Sequence, residues 1–385
     1  MTHIIEVLPY WPAEIFINRH ILSFTGMDFQ LDIVTKRIDN SLQSASLTKK
    51  TNIIPKELPK FYGLNKFEKA LKAFSLYNQP DILFGKRSWP DKLYLKYFRE
   101  NKPDLIHFHW TNLAIKMSWI PLELGIPFTF SMRGHDVQDL TIDDSYIESL
   151  KRVIQTSAGI HSVCDSIWKR AVKLCQLEES IKKHRTIYTT VPIQPLIQKN
   201  KKQNKPYIFV TTGRLHWRKN YKDLLSAFSK LLSKGLDAKL IIVGGGEEEV
   251  CLKYWAMFFG IEDHVTFSGT LSYQEIMNVF AHTDAYIQSS IAEGLSNSLA
   301  EAMAVGLPVF ATGVGGTSEI IKDSINGFIL DPIHPENWWE KLILIKDREL
   351  MSDIGTQAFH DAKVIFSAKK HAQDFINFYY KSMEV

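Results

Sequence analysis

The sequence predicts an α/β protein of two parallel-sheet domains, and three observations carry that expectation. Short apolar runs alternate with amphipathic segments along most of the chain. A polar, basic, proline-ended stretch, residues 199–206, divides the alternation into two blocks and reads as a linker. In the second block, the loops that follow the strands are rich in glycine. Alternation of this kind argues for parallel sheets covered on both faces. The length of 385 residues accommodates two or three domains of ordinary size.

In the first block, residues 4–8, 31–35, 105–108, 128–131 and 159–163 are the predicted strands, with helices between them. The second block opens with a strand at 207–211 and continues through 240–243 and 265–267. Residues 284–288 read as a short buried strand, followed by a turn that holds Glu293 and a helix that holds Glu301. Gly306 stops that helix, 307–311 is the next strand, and Gly313, Gly315 and Gly316 open another helix. From Asn337 onward the pattern is helical. Two successive strand–loop–helix units build the usual place for a phosphate-bearing ligand. Their polar groups suit a nucleotide sugar, since carboxylates accept from hydroxyls and loop N–H groups donate to a diphosphate.

Composition narrows the class. Hydrophobic residues make up 45% and charged residues 23%, as in a soluble globular protein. Three cysteines, Cys164, Cys175 and Cys251, make no disulfide framework and no zinc-type pair. The amino terminus lacks the features of a signal peptide, and no run of eighteen apolar residues occurs, so a cytoplasmic protein is expected. Residues 1–198 carry 26 Lys+Arg against 20 Asp+Glu, a net of +6, while residues 199–385 carry 20 against 22, a net of −2. The basic half is a candidate for meeting an anionic surface.

Residues 289–328 contain E-G-L-S-N-S-L-A-E-A-M-A-V-G-L-P-V, then G-G-T-S-E and N-G-F. This closely resembles the donor-site motif of the retaining glycosyltransferases of family 4, E-G-L-P-N-x-x-x-E-A-M-A-x-G-x-P-V. Ser296 stands where proline or glycine is usual. The resemblance implies a GT-B fold, two Rossmann-like domains facing a cleft. The domains would be 1–198 for the acceptor and 199–365 for the nucleotide sugar, with a final helix at 366–385 crossing back to the first. It also implies that Glu293, Gly294, Leu295, Ser296, Asn297 and Glu301 bind the donor, with Glu293 facing the sugar and Glu301 on the ribose hydroxyls. The residues alone leave other readings open. Ser298-x-x-Glu301 also fits a capping box, and Glu293 fits a solvated loop carboxylate.

T-G-R-L-H-W-R-K-N-Y, from Thr212, resembles the family's G-R-L-x-x-x-K element. By that resemblance Gly213 borders the donor, and Arg214 and Lys219 bind its diphosphate, where charge builds as the glycosidic bond breaks. Without it they read as surface charges. Arg218 and Lys222 are expected to face solvent, and His216 and Trp217 to pack or to border the cleft. The glycine turn at 244–246 fails as a dinucleotide fingerprint, because Glu249 stands in the third glycine's place. It resembles the family's V-G-x-G turn, which puts Gly244 near the nucleotide. V-T-F-S-G resembles the family's V-x-F-x-G, which puts Ser268 and Gly269 beside the base.

K-P-D-L-I-H-F-H-W resembles a strand of the family's acceptor domain. It makes His109 a catalytic candidate at the strand's end, and equally a satisfied core residue. S-M-R-G-H-D-V resembles T-x-H-G-x-D, with Arg133 at the histidine position, His135 at a variable one and Asp136 matched. Arg133 is thus a candidate for the donor phosphate or an acidic acceptor. L-P-Y-W-P-A-E-I-F-I resembles a P-x-S-E-T-F-I variant of exopolysaccharide transferases and makes Glu14 an acceptor-side candidate. Residues 49–72 hold seven lysines and two glutamates among aromatics, and 86–102 repeat the theme with Trp89, Tyr94, Tyr97 and Phe98. Such a surface suits an anionic membrane, and suits a solvated face over core aromatics equally well. No nucleic-acid module is recognisable.

The expectation is a retaining hexosyltransferase that uses a UDP- or GDP-linked donor as substrate, with no cofactor and no metal. Its acceptor would be a glycan or lipid-linked glycan of the cell envelope, met in the cytoplasm or at the inner face of the membrane. The rivals are a nucleotide-sugar epimerase of the same fold and a non-catalytic sugar-nucleotide-binding protein.

Overall fold

The computed structural model describes residues 2–8, 15–25, 30–35, 56–57, 89–138, 144–178, 181–196 and 206–384. The linker at 199–205, Glu14 and nearly all of the lysine-rich stretch at 49–72 lie outside the described residues.

Seven strands form the first sheet: β1 (His3–Leu8), β2 (Gln30–Thr35), β3 (Lys56–Glu57), β4 (Leu105–Phe108), β5 (Phe128–Met132), β6 (Gly159–Ser162) and β7 (His184–Thr186). Their order is β3-β2-β1-β4-β5-β6-β7, and every pairing is parallel. The second sheet holds β8 (Tyr207–Thr212), β9 (Ala238–Val243), β10 (Val265–Gly269), β11 (Ala285–Gln288), β12 (Val309–Thr312) and β13 (Phe328–Leu330). Its order is β10-β9-β8-β11-β12-β13, again all parallel. Both are doubly wound. Chain direction across the sheet reverses between β1 and β4 in the first domain and between β8 and β11 in the second. Ligands of such sheets bind outside the strand ends at that switch.

The strands form where expected because they are apolar and β-branched, and buried on both faces. Residues of β4, β5, β11 and β12 are all buried. Helices cover them with 3.6-period stripes. In the helix Tyr221–Ser233 the stripe is Tyr221, Leu224, Leu225, Phe228 and Leu231. β12 starts later than the sequence pattern, because Pro308 has no N–H for the ladder. β7 and β13 have no counterpart among the expected strands. Each is three residues long, too short for a period to show.

The last helix, Ala368–Met383, packs on the first domain. Its Ala372, Phe375, Phe378 and Tyr379 share a core with Ile4, Phe24, Leu105 and Ile187. Each such large apolar side chain contributes about 1.5–3 kcal/mol on full burial. Of the two readings of the basic aromatic stretch, Tyr94 and Phe98 follow the second and sit in the first domain's core. Their helix, Trp89–Asn101, turns them inward at i and i+4. No helix among the described residues is long and apolar enough to cross a membrane.

Candidate active site in the interdomain cleft

Two loops at the second domain's switch point are fastened together. The first runs from Gly213 through a short 3-10 turn, Trp217–Lys219, that ends on Asn220 at φ +53°. The second follows β11. Ile291 N donates to Arg218 O at 2.9 Å, and Ser289 Oγ donates to Lys219 O at 2.6 Å. Lys219 Nζ donates to Glu293 Oε1 at 2.6 Å, and Ser290 Oγ donates to the same oxygen at 2.8 Å. Lys219 and Glu293, two of the residues singled out in sequence, thus form one ion pair.

Above this pair lies a cavity of about 250 Å³. Arg214, Arg218, Lys219 and Glu293 line it from the second domain, and Arg133 and Gln138 from the first. Four cationic side chains face one carboxylate, so the cavity attracts anions. Arg218 was expected in solvent but lines the cavity, because the 3-10 turn redirects it. His216 lines it too, and Trp217 is 56% exposed. Arg214 keeps a loose surface pair with Glu247 at 3.3 Å.

The domains touch at the cavity floor through glycine. A Cβ on Gly294 would stand 2.5 Å from Arg133 O, and one on Gly315 would overlap Glu293 O. Gln138 Nε2 donates to Glu293 O at 2.7 Å. Gly294 O accepts from Gly316 N at 2.7 Å and Cys164 Sγ at 3.3 Å. Glu319 accepts from Asp165 N at 2.9 Å, Ser166 N at 2.8 Å and Tyr188 Oη at 3.0 Å. A carboxylate of the second domain thereby caps the helix Asp165–Leu174 of the first.

Below Arg133 runs a buried polar network. Arg133 Nε donates to His109 O at 2.9 Å, and Arg133 Nη2 lies 3.2 Å from His109 Nδ1. His109 Nε2 meets Glu6 Oε2 at 2.8 Å. Glu6 Oε1 meets His20 Nε2 at 2.9 Å and Tyr379 Oη at 2.8 Å. His20 Nδ1 meets His371 Nε2 at 2.9 Å, and His371 Nδ1 meets Tyr188 O at 2.8 Å. The protons can be counted. Arginine only donates, so His109 Nδ1 accepts and its Nε2 carries the hydrogen. A carbonyl only accepts, so His371 Nδ1 carries a hydrogen, its Nε2 accepts, and His20 Nδ1 donates. His20 Nε2 then needs a hydrogen for Glu6. Burial alone would raise the Glu6 carboxyl, but His20 and His109, as charges and donors, bring it well below the ordinary value.

Burial lowers His109 to about 4 despite Glu6, and lowers His371 to about 3 with help from His20. A parallel chain runs from Thr129 through His107, Ser131 and His161 to Ile187 O. Burial keeps His107 and His161 well below the ordinary value. The ligand atoms of Glu6, His20 and His109 lie within 4.8 Å of one another, a spacing metals use. In this structure those atoms hydrogen-bond one another. Each facing atom already holds or accepts a proton, and a guanidinium sits on the far side of His109.

The remaining candidates separate. His109 is fully buried and reaches the cavity only through Arg133. Arg133 also borders a smaller cavity with Phe16, Leu295 and Asn297. Ser296 caps the helix Asn297–Ala304, its side chain accepting from Leu299 N at 3.3 Å. Glu301 is therefore well inside that helix, which removes the capping-box alternative. It pairs instead with Arg19 of the first domain, Nη2 to Oε1 at 2.6 Å, and burial raises its carboxyl despite that arginine. Gly244 N donates to Gly269 O at 2.8 Å, joining two glycine turns beside Ser268. Gly213, Gly244, Ser268 and Gly269 do not line the 250 Å³ cavity. His135 and Asp136 open the short helix His135–Gln138. Arg19, Glu6, Gln138 and Glu319 were not singled out. Glu319 closes the quoted G-G-T-S-E, and the polar run Asn18-Arg19-His20 within an apolar helix was the one available signal for Arg19.

Two doubly wound domains with a cationic cleft between their switch points define a class, and the fold is GT-B. The chain superimposes on Anabaena Alr3699/HepE in complex with UDP at a TM-score of 0.77 and 15% identity, over 99% of this chain and 100% of that one. It superimposes on the lipopolysaccharide outer core galactosyltransferase WaaB at 0.71 and 16%, over 99% of each. Residues 193–361 match the family model described as glycosyl transferases group 1. The chain is similar to the N-acetyl-alpha-D-glucosaminyl L-malate synthase of Bacillus anthracis, 25% identical over 294 residues, 73% of this chain and 75% of that one. With several other curated relatives the match spans about half of their length. Together these findings support a glycosyltransferase of GT-B architecture.

Proposed function

We propose that the protein is a retaining hexosyltransferase that moves a sugar from a UDP- or GDP-linked donor to a glycan or lipid-linked acceptor. The observation that carries this reading is the cavity where Arg133, Arg214, Arg218 and Lys219 surround the Glu293 carboxylate. A nucleoside diphosphate leaving group gains charge as the glycosidic bond breaks. Lys219 and Arg133, already held by hydrogen bonds, stabilise that charge without reorganising. Glu293, held by Lys219 and Ser290, then faces the donor sugar. His109 acts as a positioning residue, since its ring holds the Arg133 guanidinium rather than meeting the cavity.

One similar structure is named for a glycan, the lipopolysaccharide outer core, while a relative is named for a sugar joined to malate. We assign the acceptor to cell-surface polysaccharide assembly at the inner face of the membrane. Titration calorimetry with UDP and GDP tests the donor reading. Micromolar to millimolar binding of one of them is expected, and binding of neither overturns the reading. Product anomer analysis by NMR tests retention, with donor alone as the control for epimerisation. Binding to anionic but not neutral vesicles, reversed by salt, tests the membrane setting.

A further inference from the structure

Glu301 and Arg19 form an ion pair between the two domains, 282 positions apart in sequence, each residue 8% exposed. Only half of each group is used. Glu301 accepts through Oε1 alone among the described residues, and Arg19 Nη1 is buried without a hydrogen-bond partner. Asn297, one turn before Glu301 on the same helix, has its Oδ1 buried without a partner too. Asn297 borders the smaller cavity. The Arg19 guanidinium lies over the Tyr273 ring, 5.4 Å from its centroid, which fixes its plane. Buried polar atoms without partners are rare in native proteins and point to a ligand or water.

The chemistry that fits is specific. The pair is neutral overall, so it suits an uncharged group. It has one carboxylate oxygen that accepts and one N–H group that donates. A vicinal diol satisfies both, with one hydroxyl donating to Glu301 and the neighbouring oxygen accepting from Arg19. The cationic cavity opens at Glu293, on the loop that leads into the Glu301 helix. An anionic pole and a diol pole along one loop–helix unit match a nucleoside diphosphate.

We propose that Arg19 is a second ribose ligand, supplied by the first domain, so that the nucleotide's diol fastens the two domains together. This rests on the donor reading above and adds to it a residue of the opposite domain. The test uses the full chain, titrated with UDP and GDP, and then with the 2′-deoxy and 3′-deoxy forms of whichever binds. Wild type should lose on the order of 10- to 100-fold in affinity for a deoxy form. Arg19→Ala should weaken the parent nucleotide by a similar factor and reduce the deoxy penalty to about 3-fold or less. Arg19→Lys keeps the charge beside Glu301 but has a single nitrogen. It should melt near the wild type and still show a reduced penalty, which covers the case in which the alanine variant does not fold. Wild-type affinity and an undiminished deoxy penalty in the folded variants overturn the role of Arg19 alone. Failure of wild type to bind either nucleotide overturns the donor reading as well.

Discussion

Lys219 and Arg214 were read from the same motif, yet their settings differ. Lys219 is ion-paired beneath the cavity, while the Arg214 side chain is 71% exposed on a loose pair. Lys219→Ala should therefore cost kcat/KM more, about 1.5–3 kcal/mol or 10- to 150-fold, than Arg214→Ala. Steady-state kinetics with the cognate donor checks this, and equal effects contradict the ranking. Glu6 is a different case. Glu6→Gln replaces a carboxylate shared by His20, His109 and Tyr379 with an amide that accepts through one oxygen only, so about 1–3 kcal/mol of stability should be lost in urea unfolding. Loops written as contiguous motifs were legible residue by residue. Arg19–Glu301 and Tyr379–Glu6 were not, because partners 282 and 373 positions apart leave no local pattern.

At the scale of elements, periodicity placed the long strands of both sheets and missed the three-residue ones, where no period fits. The helix that carries Glu301 shows how a boundary decides a role. Ser296 caps the helix through Leu299 N. Ser296→Ala should lower stability by about 1 kcal/mol, read as a shifted unfolding midpoint. Gly315, at φ +55° with Glu293 O where a Cβ would stand, permits no such exchange. Gly315→Ala should push the Glu293 loop off its ion pair and lower turnover at least tenfold, as measured by kcat.

For the whole molecule, acid is the sensitive variable. His107, His109, His161 and His371 are all held below the ordinary imidazole value by burial. Below about pH 6.5 the unfolded chain binds protons that the fold refuses, so this stability is present above that pH and lost as pH falls. The depressed Glu6 carboxyl acts in the same direction at lower pH. Each histidine contributes a slope of at most about 1.4 kcal/mol per pH unit. Melting temperature should thus fall steeply between pH 6.5 and 5, and a flat profile there contradicts the proton count. Two doubly wound domains were legible because their longer strands each show an apolar run. Their junction was not, since it is built from single glycines and cross-domain hydrogen bonds.

The last helix gives the first strand one hydrogen-bond donor, Tyr379 to Glu6, and gives His20 its acceptor, His371. On the ribosome Glu6 is made 373 positions before Tyr379. The first sheet can begin to assemble early, but its central carboxylate stays short of partners until residue 379 has left the exit tunnel. The nascent first domain therefore waits, incomplete, through the translation of the entire second one. The helix that carries Arg19 takes its final seat against the last helix only after Glu301 has been made. The contacts that close the cleft are thus complete only once the last helix has docked on the first sheet.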